Sequence, residues 1–150
     1  MKNITLFVTV LILSVSTLSA QSSGIGLGLS TDGLNGKYWM SGSNALSINW
    51  NFGSAIAVDY LFDKPGVLNV SDAATPVYYG AGLGMSLHEG LNDDLEETTE
   101  LHLSVRGVAG VSYYLSSMPM DIYLEITSAL GVVGGSGFGV GGALGVRYFF

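Results

Sequence analysis

Hydrophobic and polar residues alternate along most of the chain with a period of two, which is the period of a β-strand. The clearest example is Ala45–Phe52, where Leu46, Ile48 and Trp50 alternate with serine and asparagine. The pattern predicts eight strands, in the segments Gly24–Ser30, Leu34–Ser41, Ala45–Phe52, Ala55–Phe62, Pro76–His88, Glu100–Leu115, Met120–Leu130 and Gly137–Phe150. The sequence therefore predicts an all-β fold.

Turn-forming residues separate these segments. Most links are short and rich in Gly, Ser, Asn or Asp, which favours hairpins between consecutive strands. Two connections are longer: Asp63–Thr75 is polar and contains Lys-Pro-Gly, and Glu89–Thr99 is strongly acidic. We expect both to be loops, and we expect the strands to form an antiparallel up-and-down arrangement.

The last segment, Gly137–Phe150, indicates what each face of the sheet contacts. One face carries small residues and Arg147, and the other carries Phe138, Val140, Leu144, Val146, Tyr148 and Phe150. Burying the apolar face in a soluble protein would leave a row of glycines at the surface without a role. An apolar face toward lipid and a small or polar face toward a narrow lumen is typical of outer-membrane barrels. The pattern therefore predicts an eight-stranded antiparallel transmembrane β-barrel.

The first twenty residues have a different pattern. Lys2 is followed by the apolar run Ile4–Val15 and then by Leu18-Ser19-Ala20. This pattern is typical of a secretory signal peptide, because the apolar core is too short for a spanning helix. We expect residues 1–20 to be a signal peptide and residues 21–150 to form one barrel domain in the bacterial outer membrane.

Charged residues within the predicted strands all share the parity of the small, polar face. They are Lys37, Asp59, Arg106, Asp121, Glu125 and Arg147. A basic side chain on the lipid face costs about 2 to 4 kcal/mol at mid-bilayer, so a barrel requires this sorting. Opposite charges in so narrow a lumen predict a network of ion pairs that fills the barrel, in which the expected partner of Glu125 is Arg106 or Arg147. The alternative is a narrow pore, in which breakable ion pairs would act as a gate.

Composition narrows the function classes further. The chain has a net charge of −7, which argues against a nucleic-acid partner. It has no cysteine, and therefore no disulfide framework. Few charges and 22 glycines fit a membrane barrel better than a soluble domain.

Histidine and serine residues raise the question of catalysis. His102 and Ser104, together with Glu125, resemble the His, Ser and acid set of lipid A deacylases, which are also eight-stranded barrels. The site of those enzymes faces the membrane, whereas here Leu101 takes the lipid side and His102 faces the lumen. His88 and His102 lack a ligand set for a metal. We therefore expect no enzyme, no metal and no cofactor, with a lipid-modifying enzyme as the least favoured alternative.

Five short motifs occur in a fixed order over nearly the whole chain after residue 20. They are Gly33–Trp39, Val58–Phe62, Tyr78–Gly80, Asp121–Glu125 and Gly145–Phe150. In these motifs the chain resembles a family of small outer-membrane β-barrel proteins from spirochaetes and other Gram-negative-type bacteria, similar to the transmembrane barrel of OmpA. The resemblance implies the fold and the location, and it assigns no catalytic residue.

The expected role is structural or a surface interaction. If both termini are periplasmic, Glu89–Thr99 lies at the cell surface, where it is the expected contact for an extracellular partner, and Asp63–Thr75 lies in the periplasm. Outer-membrane lipid and the barrel-insertion machinery are the other expected partners. Phe150 with Tyr148 resembles the C-terminal signal that this machinery recognises. A soluble lipocalin-like carrier of a ligand remains a further alternative.

Overall fold

The computed structural model describes residues 24–53, 55–68, 75–91, 97–135 and 137–150. Within these ranges the chain is all-β, and no helix in them is long and apolar enough to cross a bilayer. Its strands are β1 Ile25–Ser30, β2 Gly33–Ser41, β3 Asn44–Asn51, β4 Ala55–Lys64, β5 Val77–Leu91, β6 Glu97–Tyr114, β7 Met120–Val133 and β8 Phe138–Phe149. The predicted signal peptide, residues 1–20, lies outside the described residues.

Each strand pairs with its neighbours in the sequence, and β8 pairs with β1 to close the ring. Every pairing is antiparallel. The predicted up-and-down arrangement of eight antiparallel strands is therefore confirmed. Closure leaves no full-length sheet edge, since each strand has a partner on both sides over part of its length.

Two predicted loops are shorter than expected. Strand β4 continues to Lys64, so Asp63 belongs to a strand. The β5–β6 ladder continues to the pair Leu91↔Glu97, so the predicted loop Glu89–Thr99 is reduced to residues 92–96, which lie outside the described residues. Both predicted boundaries are wrong, because the polar side chains there do not end the strands. Backbone hydrogen bonds of a hairpin continue regardless of side-chain polarity.

The two halves of the barrel differ in height. Strands β1 to β4 have 6 to 10 residues, whereas β5 to β8 have 12 to 18. At one end the ladders finish together, near the turns at residues 42–43 and 115–119 and near Gly24 and Phe150. We call this the closed end. At the opposite end, which we call the open end, β5 to β8 rise beyond the turn at residues 31–32.

The alternating pattern sorts side chains between the two sides of the sheet as predicted. Outward residues on all eight strands are mostly apolar and exposed, and inward residues toward the closed end are buried. Apolar inward side chains form a cluster, which comprises Trp39, Ala45, Leu61, Tyr78, Val108, Tyr114 and Phe149. Most of these residues lie near strand ends, so the cluster fills the lumen toward the closed end.

Inward glycines make room for aromatic rings in this lumen. A Cβ atom at Gly145 would lie 2.5 Å from Cζ of Tyr123, closer than real Cβ atoms approach. A Cβ atom at Gly110 would collide with the ring of Tyr78 in the same way. Glycine on one strand therefore lets a tyrosine on another strand fill the barrel.

Candidate functional site

The shortest ion pair in the described part of the lumen joins β7 and β8. Arg147 Nη2 lies 2.7 Å from Asp121 Oδ2, and Nε donates to Oδ1 at 3.0 Å. The guanidinium also donates to Asn35 Oδ1 at 3.2 Å and Ser112 Oγ at 3.3 Å, and it stacks 4.0 Å from the ring centroid of Tyr123. Both charged side chains are 0% exposed. Such a buried pair persists only because its hydrogen-bonding groups are matched.

A second ion pair joins β2 and β4. Lys37 Nζ lies 3.0 Å from Asp63 Oδ2 and 4.2 Å from the ring centroid of Trp39. Both charged side chains are almost fully buried. Asp63 was missed from the sequence because Asp-Lys-Pro-Gly has the composition of a turn. The signal that could have identified it is parity, since Asp63 lies four residues after the inward Asp59.

The third ion pair joins β4 and β6 closer to the open end. Arg106 Nε donates to Asp59 Oδ1 at 3.0 Å, and Nη2 donates to Oδ2 at 3.3 Å. Asn49 Nδ2 donates to the same carboxylate at 3.2 Å, and Asn35 Nδ2 donates to Asn49 Oδ1. Because Asn35 also accepts from Arg147, these contacts connect two ion pairs into one network across the lumen.

Glu125 has a different partner from the one expected. Its Oε2 accepts a hydrogen bond from Tyr78 Oη at 2.9 Å, and no ion pair joins it to a basic side chain among the described residues. The expected pairing of Glu125 with Arg106 or Arg147 is therefore wrong. The six predicted lumen charges thus form two ion pairs among themselves, and the remaining two have partners that the sequence did not indicate.

Replacing Tyr78 with phenylalanine should lower the free energy of unfolding by about 1 to 3 kcal/mol, because the buried Glu125 carboxylate loses its hydrogen-bond donor. A urea titration measures this change. The folded fraction at each urea concentration is read from a gel on which the folded and unfolded barrels migrate differently. Tyr79→Phe is the matched control, since its side chain is exposed on the outer face. Equal losses in the two variants would contradict the assigned role of Tyr78.

Toward the open end the lumen widens into a vestibule. A cavity of about 110 Å³ lies among Asn49, Arg106, Glu125, Thr127 and Ala143 and reaches Asp32 in the β1–β2 turn. A larger groove of about 380 Å³ follows the inner face of β5 to β8, and its lining includes Ser86, His102, Ser104, Ala129, Gly131 and Gly139. The lumen is therefore packed with charged and aromatic side chains toward the closed end, and it widens into the vestibule at the open end.

The histidines do not form the catalytic set considered from the sequence. His102 Nε2 lies 3.7 Å from Glu100 Oε2, and the ring centroids of His88 and His102 are 5.7 Å apart. Glu125, the acid of the considered set, bonds Tyr78 instead. Within the described part of the chain, no group of three or more His, Cys, Asp or Glu side chains is arranged to hold a metal ion.

Aromatic residues of the outer face lie near the strand ends. Tyr148 and Phe150, the predicted insertion signal, pack edge to face with ring centroids 5.0 Å apart. Both side chains are exposed on the outer face. Both rings lie at the closed end, next to the last residue of β8.

Comparisons with protein-family models, with curated proteins and with solved structures found no match. The resemblance to small outer-membrane barrels is therefore supported by the sequence motifs alone.

Proposed function

We propose that the chain is a bacterial outer-membrane β-barrel with a structural, filled lumen and a surface-interaction role at its open end. The observation that carries this proposal is the sorting of side chains. Large apolar residues are exposed on the outer face of every strand, while Lys37, Asp59, Asp63, Asp121 and Arg147 are buried inside. A soluble protein rarely exposes apolar patches above a few hundred Å², whereas lipid requires such a surface.

The packed lumen favours a structural role over a pore. Lys37, Arg147 and their acidic partners are fully or almost fully buried, and the apolar cluster occupies the lumen beside them. An aqueous path would require these bidentate and hydrogen-bonded contacts to break together. Breaking a buried ion pair by loss of one partner costs about 3 to 5 kcal/mol. Opening is therefore unfavourable, and we propose no conductance.

The distribution of polarity also disfavours a soluble carrier and an enzyme. A lipocalin-like carrier holds its ligand in the lumen of the barrel, whereas here ion pairs and an apolar cluster fill the lumen toward the closed end and the exterior is apolar. His102, from the catalytic set considered in the sequence, contacts Glu100. Glu125, the acid of that set, accepts a hydrogen bond from Tyr78. We therefore propose a non-catalytic protein without a cofactor.

The proposed orientation places the closed end in the periplasm and the open end at the cell surface. The closed end then presents Tyr148 and Phe150 to the barrel-insertion machinery, and the outer face contacts membrane lipid. The open end carries the far end of the β5–β6 ladder, and the sequence between these two strands is acidic. We propose that an extracellular partner binds at this end.

Cysteine labelling tests the location and the orientation together, because the native chain contains no cysteine. We expect Asp32→Cys, at the open end, to react with a membrane-impermeant maleimide on intact cells. Lys64→Cys, exposed at the closed end, should react only after the cells are lysed. The protein should fractionate with outer membranes. Labelling of Lys64→Cys alone on intact cells would reverse the orientation, and a protein in the soluble fraction would refute the membrane location.

A further inference from the structure

Strand β8 extends well beyond its partner β1 at the open end. Their ladder ends at the pair Ser30↔Gly145, although β8 begins at Phe138. The final contacts are from Thr31 N–H to Leu144 O at 2.9 Å and from Leu144 N–H to Thr31 Oγ1 at 3.2 Å. Above Leu144, no strand in the described ranges pairs with this side of β8.

Alternation along the strand identifies the unpaired groups. Successive residues of an antiparallel strand direct their N–H and C=O groups to opposite sides. Since Leu144 directs both groups toward β1, so do Gly142, Val140 and Phe138. We call these three residues the free edge. The intervening residues pair with β7, and no strand within the described ranges pairs with the N–H and C=O groups of the free edge. An unpaired edge is a template for a further strand.

The side chains around the free edge differ between its two faces. On the outer face Phe138 is 71% exposed and Val140 is 68% exposed, so a neighbouring strand would place apolar side chains beside them. On the inner face a Cβ atom at Gly139 would have no neighbour within 4 Å. The inner face therefore has room for long side chains of a neighbouring strand.

The charges near the free edge are acidic. Asp32 and Glu125 line the vestibule together with Ala143 of β8. Glu125 is 3% exposed and accepts a hydrogen bond from Tyr78, so the exposed carboxylate at this end is that of Asp32, which forms no ion pair with a basic side chain of the described residues. The nearby Arg106 is held by Asp59. Long inward side chains that carry positive charge would therefore complement the acidic charge at the vestibule.

We propose that the free edge binds an extended peptide segment that alternates apolar and basic residues and joins the sheet as an added strand. This proposal deepens the surface-interaction role proposed above and rests on it. A lipid acyl chain could cover Phe138 and Val140, but it offers no hydrogen bonds to the backbone, and unpaired backbone groups are costly near hydrocarbon. A second copy of this chain would bring the same acidic vestibule, and like charges disfavour that contact.

The test uses the complete barrel in nanodiscs of zwitterionic lipid, with a short labelled peptide of alternating valine and lysine as the probe. Fluorescence anisotropy gives Kd, and empty nanodiscs correct for binding to lipid. Val140→Pro removes the N–H at the centre of the free edge and leaves the β7 ladder intact. It should raise Kd at least about tenfold, equivalent to about 1.4 kcal/mol. Val140→Thr keeps the N–H and should change Kd by less than about twofold, a small fraction of that free energy.

Further measurements ensure that every outcome either supports or overturns the proposal. A gel shift on heating establishes that Val140→Pro is folded, and if it is not, a peptide N-methylated on alternate amides replaces it as the test of pairing. A peptide of alternating valine and glutamate should not bind, and Asp32→Asn should weaken binding of the lysine peptide. Equal Kd values for Val140→Pro and the native barrel, equal binding of the glutamate peptide, or self-association that blocks the peptide would each overturn the proposal. Cysteine labelling decides the membrane location separately.

Discussion

Replacing Arg147 with methionine is expected to lower the free energy of unfolding by about 3 to 5 kcal/mol, which is the cost of leaving a buried charge without its partner. Asp121 would retain a fully buried carboxylate facing an apolar side chain. Asn35 and Ser112 would each lose a hydrogen bond from the guanidinium. Urea titration of the barrel in detergent, followed by the folded and unfolded gel bands, measures the loss.

Two controls separate the lost pairing from a general effect of substitution. The double variant Arg147→Met with Asp121→Leu should recover most of the loss, since apolar groups that replace both partners of a buried pair are often neutral or stabilising. Lys64→Met, at an exposed position, should stay within about 0.5 kcal/mol of the native barrel. If the double variant is no more stable than Arg147→Met alone, the charge of Asp121 is not the cause.

The second large effect is expected at Gly82, where β5 passes Asp59. A Cβ atom at Gly82 would collide with the carbonyl oxygen of Val58 and lie 2.6 Å from Cα of Asp59. Gly82→Ala must therefore shift the backbone of β4 and the carboxylate that binds Arg106. We expect a loss of about 3 kcal/mol, at the upper end of typical overpacking costs, measured by the same urea titration.

Gly139→Ala is the matched control, because Gly139 also lies on the inner face of a strand. Its Cβ atom would meet no atom within 4 Å. Without a clash, alanine mainly restricts the unfolded chain, so this variant should be more stable by about 0.4 to 1 kcal/mol. If Gly139→Ala instead loses about as much stability as Gly82→Ala, crowding around Gly82 is not the cause of the loss.

The orientation of most side chains could be predicted from the sequence because it depends only on local geometry. Once a segment is a strand, parity alone places Asp59, Asp121 and Arg147 inward and Tyr148 outward. The structure agrees at each of these positions. Prediction failed where polar composition suggested a loop, as at Asp63, since a strand can continue into polar sequence while its backbone remains paired.

The partners of the inward charges could not be predicted in this way. Asp121 and Arg147 lie directly opposite each other on adjacent strands. By contrast, Lys37 reaches Asp63 across an intervening strand, and Tyr78 on β5 reaches Glu125 on β7. These contacts depend on the register of several ladders and on how strongly the narrow barrel curves.

By itself, the sequence determined the number of strands, their antiparallel order and the faces that carry charge, because each follows from a period of two interrupted by turns. Only the tertiary structure decided which charges pair, because the partners meet across the lumen. It also decided where each ladder stops. The free edge at Phe138, Val140 and Gly142 exists because β1 turns back at Thr31 while β8 continues, and no property of either strand alone reveals that difference in height.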